Sequence, residues 1–255
     1  MKKRLASVPY ALLVALLLCS GCATRSGTSL SREIPEIQPG ILQGYLAEDE
    51  LPDGLALLPA PPAEGSVALE LDQDMARYYV AMEDDARKAQ AVQDNVLAFP
   101  EAVEAFNGVL PVPVSEEATP HIYMILRRTV ADAGLSTNFA KEHYRRPRPF
   151  VANQTPTLIP DEEEYMLEVS FGSYPSGHTA VGWAWALILP ELFPDHADAI
   201  LKRGWEYGIS RMVCNVHWHS DVVAGRTMGA ATVARLRADK EFMADLEAAK
   251  REVRR

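Results

Sequence analysis

An all-α fold, in a single multi-helix domain, is predicted for this 255-residue chain by three observations. From Ser66 almost to the end of the chain, good helix formers recur at helical spacing, and runs of β-branched residues are few. The composition is that of an ordinary globular protein, with 48% hydrophobic and 24% charged residues. The most apolar later stretch, Ala180 to Phe193, is too short to span a membrane and predicts a central buried helix.

Residues 1–22 are predicted to be an export signal outside the fold. Three basic residues precede an apolar run over residues 5–18, which is the pattern of a secretory signal. The Ser20-Gly21 pair before Cys22 is similar to a bacterial lipobox, in which Cys22 would be lipidated and become the mature N-terminus. Cleavage after Ala23 is the alternative. The expected location is therefore the periplasm, with contact to a membrane only through a lipid on Cys22.

The charge balance excludes one class of function. The chain has 25 Lys and Arg against 35 Asp and Glu, a formal charge of −10. Removing residues 1–21 takes away three cations and no acids, which brings the charge to −13. A protein that binds nucleic acid through bulk charge needs a basic face, so no nucleic-acid partner is expected.

Two segments precede the predicted helices. Residues 23–45 show no clear apolar period and predict a tether, so the all-α domain is expected to span residues 46–255. Residues 51–62 contain four prolines, which preclude a continuous helix. They predict an extended strap that packs on the body through Leu55, Leu57 and Leu58.

The pattern from Ser66 onward predicts helices over the ranges 68–88, 89–98, 101–106, 119–133, 137–146, 177–193, 195–210, 220–236 and 239–253. Several of these helix starts have residues that favour capping, and the start at Thr119 is followed by a proline, which favours the first position of a helix. The predicted caps are Thr119, Ser136, Ser176, Asp195, Ser220 and Asp239.

A first cluster of functional interest is basic. Lys141, Arg145, Arg146 and Arg148 fall within eight residues of a chain that is otherwise acidic. A solvated basic surface is the simpler interpretation. Against it, prolines on both sides of Arg148 restrict the backbone, and a preset guanidinium suits the geometry of an oxyanion.

A second cluster, residues 172–179, comes directly before the central apolar helix. Ser176 can cap that helix, and Gly177 allows close approach of the backbone, so free N–H groups would face an anion. His178 would then lie in the first turn beside the anion. A capped helix with an incidental histidine is the alternative. A serine hydrolase is a weaker interpretation of Ser176, because the Gly-x-Ser-x-Gly elbow is absent.

A third cluster comprises Ser210, Arg211, His217 and Asp221. On a helix, His217 and Asp221 would be neighbours, and the carboxylate could hold the imidazole in one tautomer, leaving a ring nitrogen as a nucleophile. A buried histidine beside a capping aspartate is one alternative. A metal site is another, because His217, His219 and Asp221 share one face if the segment is extended.

Together the clusters resemble the signature of the type 2 phosphatidic acid phosphatase superfamily. They read Lys141-x6-Arg148-Pro149, Pro175-Ser-Gly-His178 and Ser210-Arg211-x5-His217-x3-Asp221, with intervals of 25 and 31 residues between them. Within that superfamily the chain is similar to the class A bacterial non-specific acid phosphatases over roughly residues 41–250. Membrane-embedded lipid phosphatases share the signature but need several spans, and vanadium haloperoxidases are similar there but are usually larger.

The resemblance implies a role for each signature residue. It makes His217 the nucleophile, Asp221 its orienting partner and His178 the general acid for the leaving alcohol. The residues that would bind the non-bridging phosphate oxygens are Lys141, Arg148, Ser176, Gly177 and Arg211. No metal and no cofactor is implied, because fixed cations and helix N–H groups supply the electrostatic stabilisation.

The predicted function is hydrolysis of a broad range of small phosphomonoesters through a phosphohistidine, with transfer to alcohols as well as to water. The implied fold is that of the type 2 phosphatidic acid phosphatase and vanadium haloperoxidase kind, and a homo-oligomer is expected. Two alternatives stay open: a metal-dependent phosphohydrolase, and a lipid-anchored phosphate-binding protein without turnover. Haloperoxidase activity with added vanadate is a minor third.

Overall fold

The structure is a computed structural model that describes residues 33–168 and 172–254. The predicted export signal, Cys22 and most of the predicted tether lie outside these residues. From Ile34 onward the chain forms one compact unit, and it is all-α as predicted. The elements of the described residues are β1 (Glu36–Gln38), β2 (Ile41–Leu42), α1 (Gly54–Leu57), α2 (Val67–Val80), α3 (Asp85–Gln93), α4 (Glu104–Asn107), α5 (Pro120–Leu135), α6 (Asn138–Tyr144), α7 (Pro149–Asn153), α8 (Glu163–Glu168), α9 (Gly177–Ile188), α10 (Ala197–Val213), α11 (His219–Leu236) and α12 (Lys240–Glu252).

The core is built around α9, which packs against α5, α10 and α11. Trp185 at its centre is fully buried, and its indole N–H donates to the carbonyl of Leu126 in α5 at 3.0 Å. Helix α11 approaches α9 closely at Gly225, where an added Cβ would lie 2.5 Å from the carbonyl oxygen of Ser176. The predicted central buried helix is confirmed, and its N-terminus is held directly beside α11.

Two predicted caps form as expected. The Ser176 hydroxyl accepts from the Thr179 amide at 3.3 Å, and the Asp239 carboxylate accepts from the Phe242 amide at 2.7 Å. Pro120 opens α5 as predicted, although the Thr119 side chain makes no capping hydrogen bond. These bonds satisfy amides that have no partner inside the helix.

Three predicted caps were wrong. Ser136 ends α5 instead of starting α6, and its hydroxyl donates to the Ala133 carbonyl at 2.8 Å. Asp195 lies in a 3-10 turn before α10. Ser220 lies inside the first turn of α11, because the N-cap is Trp218, two residues earlier, whose amide donates to the Asp221 carboxylate at 2.8 Å.

Several helix boundaries also differ from the predictions. The single helix predicted over residues 68–88 is two helices, since α2 ends at Val80 and Asp84 caps α3 by accepting from the Arg87 amide at 2.9 Å. The helix predicted over residues 177–193 ends at Ile188, where a 3-10 turn containing Pro190 follows. Helices α7 and α8 were not predicted, and both lie in the loop between two of the motif clusters.

The predicted strap differs from the structure in its middle. Asp53 accepts from the Leu55 amide at 2.8 Å and starts the one-turn helix α1, because the prolines of this segment lie outside that turn. Leu55 and Leu57 are 41% and 51% exposed, and Leu58 alone of the three predicted leucines is buried. The prediction that all three leucines pack on the body was therefore wrong for two of them.

The tether prediction was wrong for residues 36–45. Strands β1 and β2 pair antiparallel, with Glu36 opposite Leu42 and Gln38 opposite Ile41. Beyond the hairpin, Tyr45 is buried, and its amide donates to the carboxylate of Asp132 in α5 at 3.0 Å. The ordered domain therefore begins before residue 46.

The described helices also differ from membrane spans in length or hydropathy. Among the described residues, none of the helices is both long enough and apolar enough to cross a bilayer.

Candidate active site

Six of the predicted site residues line one cavity of about 440 Å³. They come from α6, the α6–α7 loop, the start of α9, the end of α10 and the turn before α11, so the three sequence clusters meet there. The residues are Lys141, Arg148, Gly177, His178, Arg211 and His217. Asp221 lies behind His217, and Ser176 is buried beneath the start of α9.

The carbonyl of Gly172 positions two of the cations. The Lys141 ammonium donates to it at 3.2 Å, and the Arg148 guanidinium donates to it at 3.3 Å. Gly172 has a φ of +113°, and an added Cβ would lie 2.9 Å from the backbone of Arg145. A side chain at this position would therefore clash with the loop that it organises.

The basic cluster separates into three environments. Lys141 and Arg148 are buried and face the cavity, whereas Arg145 is exposed in a left-handed conformation with a φ of +43°. Arg146 is buried on the other side of His217, where it donates to Asp221 and Asp72 at 2.7 Å each. The cluster is therefore a built site and not a solvated basic surface.

Hydrogen bonds define the tautomer of His217. Its Nε2 lies 3.1 Å from Arg148 Nη1, and because a guanidinium can only donate, Nε2 is the acceptor. Nδ1 therefore has the proton, and it lies 3.3 Å from the Asp221 carboxylate. His217 therefore has the tautomer that a nucleophile requires, and its unprotonated Nε2 is held by Arg148 at the cavity.

His178 and Arg211 are joined by Asn95. The Asn95 carbonyl lies 3.0 Å from His178 Nε2, so this nitrogen donates, which leaves Nδ1 of the neutral ring for proton exchange. The Asn95 side-chain oxygen accepts from Arg211 Nη2 at 3.0 Å. Two other nitrogens of Arg211, Nε and Nη1, are buried and have no hydrogen-bond partner in the described part of the chain. Buried donors of this kind are suited to an incoming anion.

Ser176 makes a different set of contacts from those implied by the family resemblance. Its hydroxyl accepts from both the amide and the hydroxyl of Thr179, the latter at 2.9 Å, and its amide donates to the Asp221 carbonyl at 3.0 Å. Gly177, the next residue, lines the cavity at the first position of α9, where backbone N–H groups have no partner inside the helix. In this state Ser176 orders the helix start, and the backbone of Gly177 faces the cavity.

Burial and the neighbouring cations favour the neutral forms of the two histidines. Burial lowers the pKa of His217 well below its ordinary value, and Arg148, Lys141 and Arg211 lower it further. Burial and then Arg211 lower the pKa of His178 in the same way. Burial and the neighbouring Arg211 also lower the pKa of Arg148 to about 10. The cavity therefore holds an excess of positive charge that a phosphate dianion would neutralise.

Comparisons with known proteins agree with this geometry. Residues 122–241, which include every signature position, match the model of the PAP2 superfamily. A non-specific acid phosphatase of Providencia stuartii is 41% identical over 209 residues, 82% of this chain and 84% of that protein. An acid phosphatase of Zymomonas mobilis is 35% identical, covering 79% and 75%, and a non-specific acid phosphatase of Salmonella typhimurium is 33% identical, covering 83% and 84%.

The chain belongs to the non-specific acid phosphatases of the PAP2 superfamily. Its predicted enzyme class, a phosphoric monoester hydrolase, is confirmed by these relatives. The all-α fold implied by the resemblance is confirmed as well.

The arrangement required by the metal-site alternative does not form. Helix α11 begins at His219, so residues 217–221 are not an extended segment with His217, His219 and Asp221 on one face. Within residues 33–168 and 172–254, no three His, Cys, Asp or Glu side chains converge in a group that could hold a metal ion.

Sequence reasoning missed three residues around the site: Asp72, Asn95 and Arg146 in its actual role. Asp72 in α2 is fully buried and accepts from the Ser220 amide at 2.7 Å and from the Ser220 hydroxyl at 2.6 Å. Asp72 and Asn95 are separated from their partners by 74 to 148 residues, so no local pattern indicates them. Arg146 was visible in the sequence only as part of a basic run.

Proposed function

We propose that this protein hydrolyses phosphomonoesters of broad structure through a phosphohistidine at His217. The observation that supports the proposal is the unprotonated Nε2 of His217, which accepts from Arg148 at a cavity lined also by Lys141 and Arg211. A nucleophile beside three cations suits attack on an anionic phosphoryl group, whereas acyl transfer gives no reason for three cations.

In the first step, His217 Nε2 attacks phosphorus in line with the ester oxygen. The N–P bond forms, the P–O bond breaks, and the alcohol leaves with a proton from His178. Asp221 accepts from Nδ1–H and stabilises the positive charge that develops on the imidazole. Burial and Arg211 lower the pKa of His178, and a bound phosphate dianion would raise it again because the dianion offsets the charge of Arg211.

In the second step, water attacks the phosphohistidine and transfers a proton to His178. The N–P bond breaks, and phosphate and the neutral His217 are restored. A different alcohol in place of water would take the phosphoryl group by the same route, since the residues assigned here hold the phosphate and do not select the acceptor.

Electrostatic stabilisation in both steps comes from the chain's own groups in this proposal. Arg211 offers two buried donors, and Gly177 opens α9 with its N–H groups toward the cavity. These fixed donors meet the equatorial phosphoryl oxygens, where charge concentrates in the transition state. We expect full activity after exhaustive chelation, and loss of activity restored by a divalent ion would favour the metal-dependent alternative.

The stereochemical course at phosphorus tests the covalent intermediate. Two in-line displacements invert phosphorus twice, so hydrolysis of a chiral, isotopically labelled phosphomonoester should proceed with net retention. Net inversion would mean direct attack by water and would overturn the phosphohistidine. Tight binding of vanadate without phosphate release from any ester would instead support the alternative of a binding protein without turnover.

We also propose that the protein is exported, with Cys22 as the site of a lipid anchor. The proposal rests on the lipobox-like residues before Cys22 and on relatives that are bacterial acid phosphatases. Cys22→Ser should release the protein from membranes or block its maturation. A wild-type protein that is already soluble in the periplasm, with Thr24 at its N-terminus, would contradict the anchor.

A further inference from the structure

Beyond its cations, the active-site cavity has a largely apolar wall. A volume of about 440 Å³ lies within the range of roughly 300–1,000 Å³ found for pockets of small organic ligands, so a phosphate group fills only part of it. The wall comes from the β1–β2 hairpin, from the segment that follows α3, and from the helices α5 and α8 themselves. Its apolar residues include Ile37, Leu97, Val130, Leu135, Tyr165 and Met166.

The apolar surface continues outward from the cavity. Ile37, Leu135 and Tyr165 are 44%, 36% and 50% exposed, so large apolar side chains remain uncovered at the entrance. A second cavity of about 440 Å³ shares Ile37 and Leu135 with the first and is lined further by Leu51 and Phe139. Exposed apolar surface beside a binding cavity is typical of a surface that contacts a ligand.

Positive charge on the lining is confined to the phosphate end. Among the described residues that line the cavity, the Lys and Arg side chains are the three cations around His217, and the carboxylate is Glu162 near Tyr165. A second anionic group on the substrate would therefore meet no further cation at the apolar wall, and it would meet a carboxylate there instead.

We propose that the favoured substrates are phosphomonoesters of apolar alcohols, alkyl or aryl, and that the wall formed by Ile37, Leu135 and Tyr165 binds the leaving group. This inference rests on the proposed function, because it places the phosphoryl group at His217. It adds a preference among leaving groups to an activity that is otherwise broad.

A series of n-alkyl phosphates from ethyl to octyl, each below its micellar concentration, tests the wall without changing leaving-group acidity. We expect kcat/KM to rise by up to about fourfold per methylene, the limit for full burial of each CH₂ group, and then to level off. Glycerol 1-phosphate should resemble ethyl phosphate. A flat or falling series, with phosphate still released from every ester, would overturn the wall while leaving the proposed function intact.

Two variants connect the series to named residues. Ile37→Ser and Leu135→Ser should each lower the ratio of kcat/KM for octyl phosphate to kcat/KM for ethyl phosphate, because each removes apolar surface from the wall. Val67→Ser, at a 79% exposed apolar position on α2, is the matched control and should retain the wild-type dependence. An unchanged dependence in both wall variants would overturn the assignment.

A separate observation concerns Asp72, whose carboxylate is connected to the nucleophile by two routes. It holds Arg146 at 2.7 Å, and Arg146 in turn holds Asp221 at 2.7 Å. It also accepts from the amide and hydroxyl of Ser220, the residue before Asp221 in α11. Both routes end at the carboxylate that orients His217.

From this geometry we infer that Asp72 is a positioning residue for the Asp221–His217 pair. Without its charge, Arg146 would interact more strongly with Asp221, and an amide at this position would keep only one of the two oxygens that accept from Arg146 and Ser220. Asp221 would then stabilise the positively charged imidazole less well. The phosphate ligands Lys141 and Arg211 do not depend on these bonds.

Asp72→Asn tests this role through a split between kinetic constants. We expect kcat to fall by about 10²-fold, a size typical of misplacement of a reacting group, with KM and vanadate inhibition changed less than about threefold. The acidic limb of the kcat/KM profile should move to lower pH, since His217 loses nearby negative charge. Asp245→Asn, which removes a carboxylate from Arg128 away from the site, is the control. An equal loss of kcat in both variants, or a loss that is fully explained by a smaller amount of folded Asp72→Asn protein, would overturn the positioning role.

Discussion

Two buried arginines on α10 have contrasting partners. Arg203 pairs with the carboxylate of Asp94 and donates to the Ala105 carbonyl at 2.7 Å. Arg211, two turns later, donates to the neutral side chain of Asn95, the residue directly after Asp94. Within the described residues Arg211 forms no ion pair with a carboxylate, and two of its nitrogens have no partner.

The contrast separates a cation that is neutralised within the fold from a cation that is available to the proposed phosphate site. Asp94 compensates Arg203 and is itself supported by the Ser210 hydroxyl at 2.6 Å. Arg211 has no such carboxylate among the described residues, and an anion that entered the cavity would supply the missing negative charge. The same residue type, on one helix and at similar burial, therefore has a compensated charge at Arg203 and an uncompensated charge at Arg211, because one neighbour is Asp and the next is Asn.

Removal of the nucleophile should have the largest effect. His217→Ala should lower turnover by more than about 10³-fold, because no other group in the site replaces the attacking nitrogen. Vanadate should still bind, since Lys141 and Arg211 are unchanged. Steady-state assay and equilibrium titration measure the two properties. A variant with a tenth of the wild-type rate would contradict the covalent role of His217.

The two arginines should respond differently to the same substitution. Arg203→Met leaves the Asp94 charge buried and should lower the free energy of unfolding by about 3–5 kcal/mol. Arg211→Met removes an uncompensated cation and should change it by less than about 1 kcal/mol. Denaturant unfolding with and without phosphate measures both, and phosphate should stabilise the Arg203→Met protein but not the Arg211→Met protein. A similar decrease in the free energy of unfolding for both variants would contradict the difference inferred between the two arginines.

A single substitution should convert the environment of Arg211 into that of Arg203. Asn95→Asp would give Arg211 the carboxylate that Arg203 already has, with almost no change of shape. Because this carboxylate would compete with phosphate, KM and the vanadate inhibition constant should both rise at least about tenfold, or ~1.4 kcal/mol. Calorimetric titration with vanadate provides a direct check. Unchanged vanadate affinity would show that the neutrality of Asn95 is unimportant.

The smallest expected effect is on how the thermal stability of the protein depends on pH. The pKa values of His178 and His217 are lowered in the folded protein, so the unfolded chain binds more protons once the pH falls below about 6.5. Stability without phosphate should therefore decrease on acidification, by about 2–4 °C in Tm per histidine between pH 7.5 and pH 5.5. Asp132, whose pKa burial raises to about 6, has the opposite effect.

Variants isolate the histidine contribution from that of Asp132. His178→Asn and His217→Asn should each reduce the decrease in Tm, and phosphate should reduce it in the wild type because the dianion favours protonated rings. A decrease that is identical in wild type and both variants would mean that the histidines titrate alike in the folded and unfolded states.

Local patterns in the sequence determined the helical fold and most of the site. The spacing of apolar residues predicted a central helix at Ala180, and the caps Ser176 and Asp239 act on neighbouring amides, so a few adjacent residues specify them. The signature positions from Lys141 to Asp221 were identified by their order and intervals, and six of them line the cavity.

Tertiary structure alone decided which side chains meet across long intervals. Asp72 and Asn95 act on residues far along the chain, the hairpin at Ile37 forms part of the cavity wall, and Leu55 faces solvent instead of the core. Nothing in a short window distinguishes Asn95 from any other polar residue after a helix. Its role depends on the helices that pack around it, because hydrogen bonding and desolvation depend on which groups the fold brings into contact.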